Sequence, residues 1–146
     1  CQWGGCTAKT ATEDCELNFS GQCLGKPTTA LAPPKNNGGE DIFLGGAAAI
    51  SLTPQSFVAV GGVNKDIFLD AVNHPKPGYM THPAEWYRFN PFICIYENGT
   101  WKIAGTKKIA ARAGTTLAKH GNDIYVIGGE LKPGVRTPDI YRLTFK

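Results

Sequence analysis

Asp123-Ile124-Tyr125-Val126-Ile127-Gly128-Gly129-Glu130 is the stretch on which the reading of this chain turns. Its β-branched and aromatic residues suit a strand, and the two glycines that follow stop the ladder with a sharp change of direction. The same unit occurs earlier as Phe57-Val58-Ala59-Val60-Gly61-Gly62. Each copy is preceded by a strand of small residues and followed by a long loop. A recurrent strand, diglycine and loop is the sequence mark of a β-propeller blade.

Working outward from Gly128, Arg112 to Ala118 is expected to be a first strand and Lys119-His120-Gly121-Asn122 a tight turn, with Ile124 to Ile127 as the second strand. Glu130 to Pro138 holds two prolines and a glycine and is expected to be a loop. Asp139 to Phe145 alternates apolar and polar residues as a third strand. Around the earlier diglycine, Gly46 to Leu52, Phe57 to Val60, Phe92 to Tyr96 and Thr100 to Ile103 give four strands. Asn98-Gly99 joins the last two as a type I′ turn, which also accounts for the match of Asn98-Gly99-Thr100 to a glycosylation acceptor. This is the pattern of a kelch-type repeat.

The interval from Gly61 to Gly128 exceeds the roughly 50 residues of such a repeat, so the earlier blade carries an insertion. It falls at 63–89. Asn64 is suited to cap a short helix with Ile67, Phe68, Ala71 and Val72 on one face, ending at His74-Pro75, and Pro83 to Arg88 suits a second helical turn. Trp3-Gly4-Gly5 and Glu16 to Phe19 suggest remnants of another blade, with a loop over Lys26 to Gly39. The expected organisation is an all-β partial propeller with a short helical insertion. Residues 1–40 form an incomplete blade and loop, 41–105 a complete blade, and 106–146 a three-stranded last blade. That is about two and a half four-stranded blades where propellers have four to eight. Missing blades or a second chain are expected to cover the open faces.

Composition agrees. Among 146 residues, 18 glycines and 10 prolines suit short strands joined by turns. The net charge of +3 is spread along the chain, which argues against nucleic acid as a partner. Apolar runs such as Ala47 to Ile50 fall far short of the roughly 20 residues of a membrane helix. Of five cysteines, Cys1, Cys6, Cys15 and Cys23 crowd the start and Cys94 stands alone. Without a C-x-x-C pair, free thiols or disulfides are favoured over a metal site. No signal peptide is visible at Cys1 to Gly5.

Two stretches resemble the cyclically permuted mutarotases of the kelch superfamily, the group that contains the N-acetylneuraminate (sialic acid) mutarotases or epimerases. Gly128-Gly129-Glu130-Leu131-Lys132-Pro133-Gly134-Val135-Arg136-Thr137 is similar to the group's Gly-Gly-Glu-x-Lys-Pro-Gly-x-Arg-Thr signature. Gly45 to Ala49 with Gly61 to Phe68 is similar to its permuted members. The resemblance runs from Gly45 onward. It implies a six-bladed propeller, a small sugar substrate, no cofactor and a bacterial periplasmic or secreted location. The cysteine-rich start resembles nothing in that group.

In an up-and-down blade, loops between second and third strands emerge on the same face as the connections between blades. Glu130, Arg136, the 63–89 insertion and the Ala111-Arg112 junction are therefore expected to share one face. Interconverting anomers opens the sugar ring, so a proton leaves the anomeric hydroxyl and one reaches the ring oxygen, work that one carboxylate can do. Glu130 is the expected acid/base and Arg136 the fork for a sialate carboxylate, both supported by the resemblance. Asn64, Lys65 and Arg112 are expected substrate contacts. Each also has a plainer reading: an ion pair between Glu130 and Arg136, a helix cap, and solvated surface charges. Trp101 is expected between blades, and Trp86 and Tyr87 in the insertion's core or as a sugar platform. His74, His82 and His120 lack metal-ligand spacing. The alternative function is a non-catalytic propeller that binds a carbohydrate or a protein. A copper oxidase on the same fold would need Tyr and His ligands that these residues do not supply.

Overall fold

The computed structural model describes residues 32–145, so the readings made for Trp3 to Gly5, Glu16 to Phe19 and the first four cysteines lie outside the described residues. A four-stranded antiparallel sheet has the order β1 (Ala48–Thr53), β2 (Ser56–Val60), β3 (Phe92–Glu97), β4 (Thr100–Thr106). A three-stranded sheet follows in the order β5 (Thr116–His120), β6 (Asp123–Ile127), β9 (Ile140–Thr144). Each is an up-and-down meander, as a propeller blade requires.

The alternation of β2 and β3 decides which face goes where. Val58, Val60, Ile93 and Ile95 point toward the second sheet, whose Ile124 and Val126 meet them in one buried cluster. Leu117, Tyr141 and Leu143 extend it. The opposite face of the first sheet carries Ala59 and Cys94, covered by Ile42 and Leu44. The innermost strands β1 and β5 lie side by side, and the Lys119 ammonium donates to the Leu52 carbonyl at 2.8 Å. The central strands β2 and β3 are thus covered on both faces, while every second residue of β1 and β4 is exposed.

The Asn98-Gly99 turn has both residues at positive φ, 50° and 79°, as a type I′ hairpin demands. Asn64 caps α1 (Lys65–Asn73), its Oδ1 accepting from the Ile67 amide at 3.1 Å. Two 3₁₀ turns, Tyr79–Thr81 and Ala84–Tyr87, complete the insertion.

Three expectations need correction. The first strand of the last blade starts at Thr116 rather than Arg112, because the backbone of Arg112 and Ala113 is engaged elsewhere. The Arg112 carbonyl accepts from the Gly62 amide at 2.8 Å, and Ala113 pairs with Glu130. The turn after it is shorter than expected, since Lys119 and His120 pair with Ile124 and Asp123, which leaves Gly121-Asn122 as a two-residue loop. The Glu130 to Pro138 segment is not a structureless loop. It folds as a hairpin of β7 (Glu130–Lys132) and β8 (Val135–Arg136), with Pro133-Gly134 at its tip. A proline at a hairpin tip withholds no ladder amide, so the argument from proline content does not apply there.

Trp101 lies on the face of the first sheet turned away from the second sheet. It packs edge-on against Phe57, beside Tyr96, on the far face of the first sheet, and its indole donates to the Ala32 carbonyl at 2.6 Å.

Candidate functional site

The second diglycine launches the candidate site. Gly128 and Gly129 adopt φ of 60° and 96°, a region that glycine enters at little cost, and they turn the chain out of β6. The hairpin β7–β8 follows at once. Glu130 and Arg136 are its opposed residues. Directly opposed side chains on a regular ladder have Cβ atoms about 5 Å apart, and here the register shifts just after the pair, between Glu130 and Lys132. No ion pair joins the two side chains among the described residues. Glu130 is half-buried and Arg136 exposed.

The hairpin's root is held by 112–115. Glu130 and Ala113 exchange backbone hydrogen bonds of 2.8 and 3.1 Å. The Thr115 hydroxyl donates to the carbonyls of Ile127 and Gly128 at 2.9 and 3.2 Å. Arg112 is only 2% exposed, and its Nη1 donates to the carbonyls of Gly128 at 2.7 Å and Asp139 at 3.1 Å. Its guanidinium lies 4.9 Å from the centre of the Tyr141 ring. Arg112, expected as a sugar contact, is therefore placed inside the protein.

Lys132 carries the hairpin to the insertion. Its ammonium donates to the carbonyls of His82 at 2.6 Å and Met80 at 3.1 Å, beside the Tyr87 ring. Tyr87 is core, 1% exposed, and its hydroxyl donates to the Tyr79 carbonyl. Burial holds the Tyr79 hydroxyl above the usual tyrosine range. Trp86 is 43% exposed and stacks flat on His82 at 3.9 Å, at the end of a shallow groove shared with Ile67, Asp70 and Tyr79. Asp70 at its rim is held below the usual carboxylate range by Lys76, which bonds it at 3.1 Å, and by His74.

The diglycine at Gly61-Gly62 is joined to the same end. Asn90 donates its side-chain amide to the Gly61 carbonyl and its backbone amide to that of Gly62. Glu130, Arg136, the insertion and the Ala111-Arg112 junction are thus linked at one end of the two sheets. Asn64 and Lys65 start α1 there. The Asn64 carboxamide oxygen is taken by its cap, Lys65 is exposed, and neither bonds to Glu130 or Arg136 among the described residues. Sequence reasoning gave no role to Lys132 or Thr115. Lys132 sits two residues from Glu130 in the quoted signature, a position that fixes it to the hairpin. Thr115 carried no signal that separates it from any other strand threonine.

No helix among the described residues is long and apolar enough to cross a membrane. Among those residues no group of three His, Cys, Asp or Glu side chains gathers as a metal site would.

Sheet order, blade stacking and the diglycine exits define the class: the chain is a partial β-propeller. A solved chain titled "Structure of YjhT" matches it with a TM-score of 0.65 at 24% identity, covering 92% of this chain and 45% of that one. No protein-family profile matches the chain. It is, however, a homologue of proteins named N-acetylneuraminate epimerase. The one from Salmonella enteritidis is 35% identical over 114 residues, 69% of this chain and 30% of that protein. The one from Escherichia coli is 32% identical over 100 residues, 58% of this chain and 27% of that protein. The match thus spans less than a third of the length of these curated relatives.

Proposed function

We propose that this chain is part of a sugar mutarotase that interconverts the α and β anomers of N-acetylneuraminate without a cofactor. Glu130 acts as the acid/base and Arg136 as the anchor for the substrate carboxylate. One observation carries the reading: Glu130 and Arg136 are opposed on a short hairpin at the diglycine end of the blades, within a homologue of the N-acetylneuraminate epimerases.

The chemistry fits that spacing. In a sialate the carboxylate is bonded to the anomeric carbon, next to the anomeric hydroxyl. A guanidinium that grips the carboxylate with two parallel hydrogen bonds therefore brings the hydroxyl within reach of a neighbouring carboxylate. Glu130 takes the hydroxyl proton as the bond between anomeric carbon and ring oxygen breaks, and delivers it to the ring oxygen. The product is the open-chain ketone. Rotation about the bond from the carbonyl carbon to the adjacent ring carbon presents the other carbonyl face, and closure runs the transfer backward.

In this reading Asn64 and Lys65 contact the sugar from the insertion. The pocket is closed by propeller parts outside residues 32–145 or by a second chain. The bacterial origin of the named relatives supports a bacterial role, and a periplasmic or secreted location is inferred from the resemblance. The test is proton NMR of freshly dissolved N-acetylneuraminate with the full-length protein. Faster approach to anomeric equilibrium supports mutarotation, whereas unchanged kinetics with broadened sugar lines identifies a binding module instead.

A further inference from the structure

We infer that Arg112 is a positioning residue, a buried clamp that sets the hairpin bearing Glu130 and Arg136, and not a group that touches the sugar. The inference rests on the reading of those two residues as the site.

The hairpin leaves the second sheet at Gly128 and rejoins it at Asp139. Those two residues are tied by the Gly128 amide, which donates to the Asp139 carbonyl at 3.0 Å. Arg112 Nη1 then bridges both carbonyls from behind, at 2.7 and 3.1 Å. One side chain therefore fixes the exit and the return of the hairpin relative to each other. The next residue, Ala113, grips Glu130 itself through two backbone bonds, and Thr115 supplies a second donor to Gly128. The short run 112–115 thus holds the hairpin at its exit, at its first residue and at its return.

A buried cation is costly unless its donors are satisfied, and no carboxylate pairs with Arg112 among the described residues. Two backbone carbonyls and the face of Tyr141 take that place. The Nε proton finds no partner there. A surface arginine meant for a ligand needs none of this enclosure. What the enclosure provides is a rigid root for a two-stranded hairpin that is too short to be rigid alone. Displacing a catalytic group by about 1 Å costs on the order of 100-fold in rate, so that rigidity bears directly on the reaction.

The test compares Arg112→Met and Arg112→Lys in the full-length protein by amide hydrogen exchange and by mutarotation kinetics. With Met, exchange at Gly128, Glu130 and Thr137 is expected to rise at least ~10-fold while Val58 and Ile95 in the first sheet keep their protection. The expected loss is in kcat, ~10- to 100-fold, with KM within about threefold, because a displaced hairpin weakens the reacting geometry more than binding. Lysine, able to reach one carbonyl, restores part of both.

Raised KM with the hairpin amides still protected overturns the proposal in favour of a direct sugar contact. Uniform loss of protection across both sheets in both variants also overturns it, since the clamp is local. If the unsubstituted protein shows no mutarotation, the functional reading fails, and the exchange pattern still decides whether Arg112 is a clamp.

Discussion

Glu130 and Arg136 oppose each other across the β7–β8 hairpin, joined by backbone register and not by an ion pair among the described residues. An ion pair would have neutralised both groups and stapled the loop. The structure instead holds the hairpin through Arg112, Thr115 and Lys132, each of which donates to backbone carbonyls.

Arg136 is exposed, so its replacement should act on binding and not on folding. Arg136→Ala is expected to raise the KM for N-acetylneuraminate by about 10- to 100-fold, the value of a charge-assisted bidentate contact. Arg136→Lys should recover only part, because an ammonium cannot present the fork. Steady-state kinetics with thermal melts check this, and a melt that shifts as far as the KM would contradict it.

The first diglycine is sterically locked. A Cβ at Gly61 would lie 2.3 Å from the Arg112 carbonyl oxygen and 2.9 Å from that of Ala110, at a φ of +79°. Gly61→Ala should cost at least ~4 kcal/mol, because the obstacle is backbone. Gly121, with a φ of +59° and open space around it, is the control. Its alanine substitution should cost only ~1–2 kcal/mol, from conformation alone. Denaturant unfolding of the two variants checks the difference.

Cys94 is buried in β3 as a free thiol, and desolvation pushes its pKa from 9.0 up to about 11. A raised acid pKa in the folded state means that this group's contribution to stability is complete below pH 9 and is lost as pH climbs toward about 11. Alkylation of Cys94 in the native protein near pH 8, followed by peptide mapping, should be at least ~100-fold slower than in denaturant. Cys94→Ala should flatten the alkaline decline in stability.

Lys132 joins the hairpin to the insertion through two carbonyls. Lys132→Met keeps the stem against Tyr87 but loses both bonds. Exchange and proteolytic cleavage over residues 76–86 should increase about 5- to 30-fold, the range for losing ~1–2 kcal/mol, with the sheets unaffected. Unchanged protection there would show that the aromatic stacking alone holds the insertion.

Much of this was legible in the sequence for identifiable reasons. Period-2 alternation over Asp139 to Phe145 and the apolar runs that end in Gly61-Gly62 and Gly128-Gly129 mark the strands, and Asn98-Gly99 and Asn64 announce a turn and a cap through local chemistry. Long-range backbone demand is what local patterns cannot carry. Arg112 and Ala113 look like the start of a strand, but their backbone groups bond Gly62 and Glu130 from outside that ladder. The burial of Arg112 runs against the surface habit of arginine and depends on carbonyls brought together only by the fold. Pro133 reads as a ladder breaker until the register places it at a hairpin tip.

The most direct test of the account follows N-acetylneuraminate anomers by NMR with full-length protein and its Glu130→Gln variant. The unsubstituted protein is expected to accelerate equilibration. The variant should still bind the sugar but lose ~100-fold or more in rate, the contribution of a positioned acid/base. Full activity in Glu130→Gln, with binding lost only in Arg136→Ala, would contradict it.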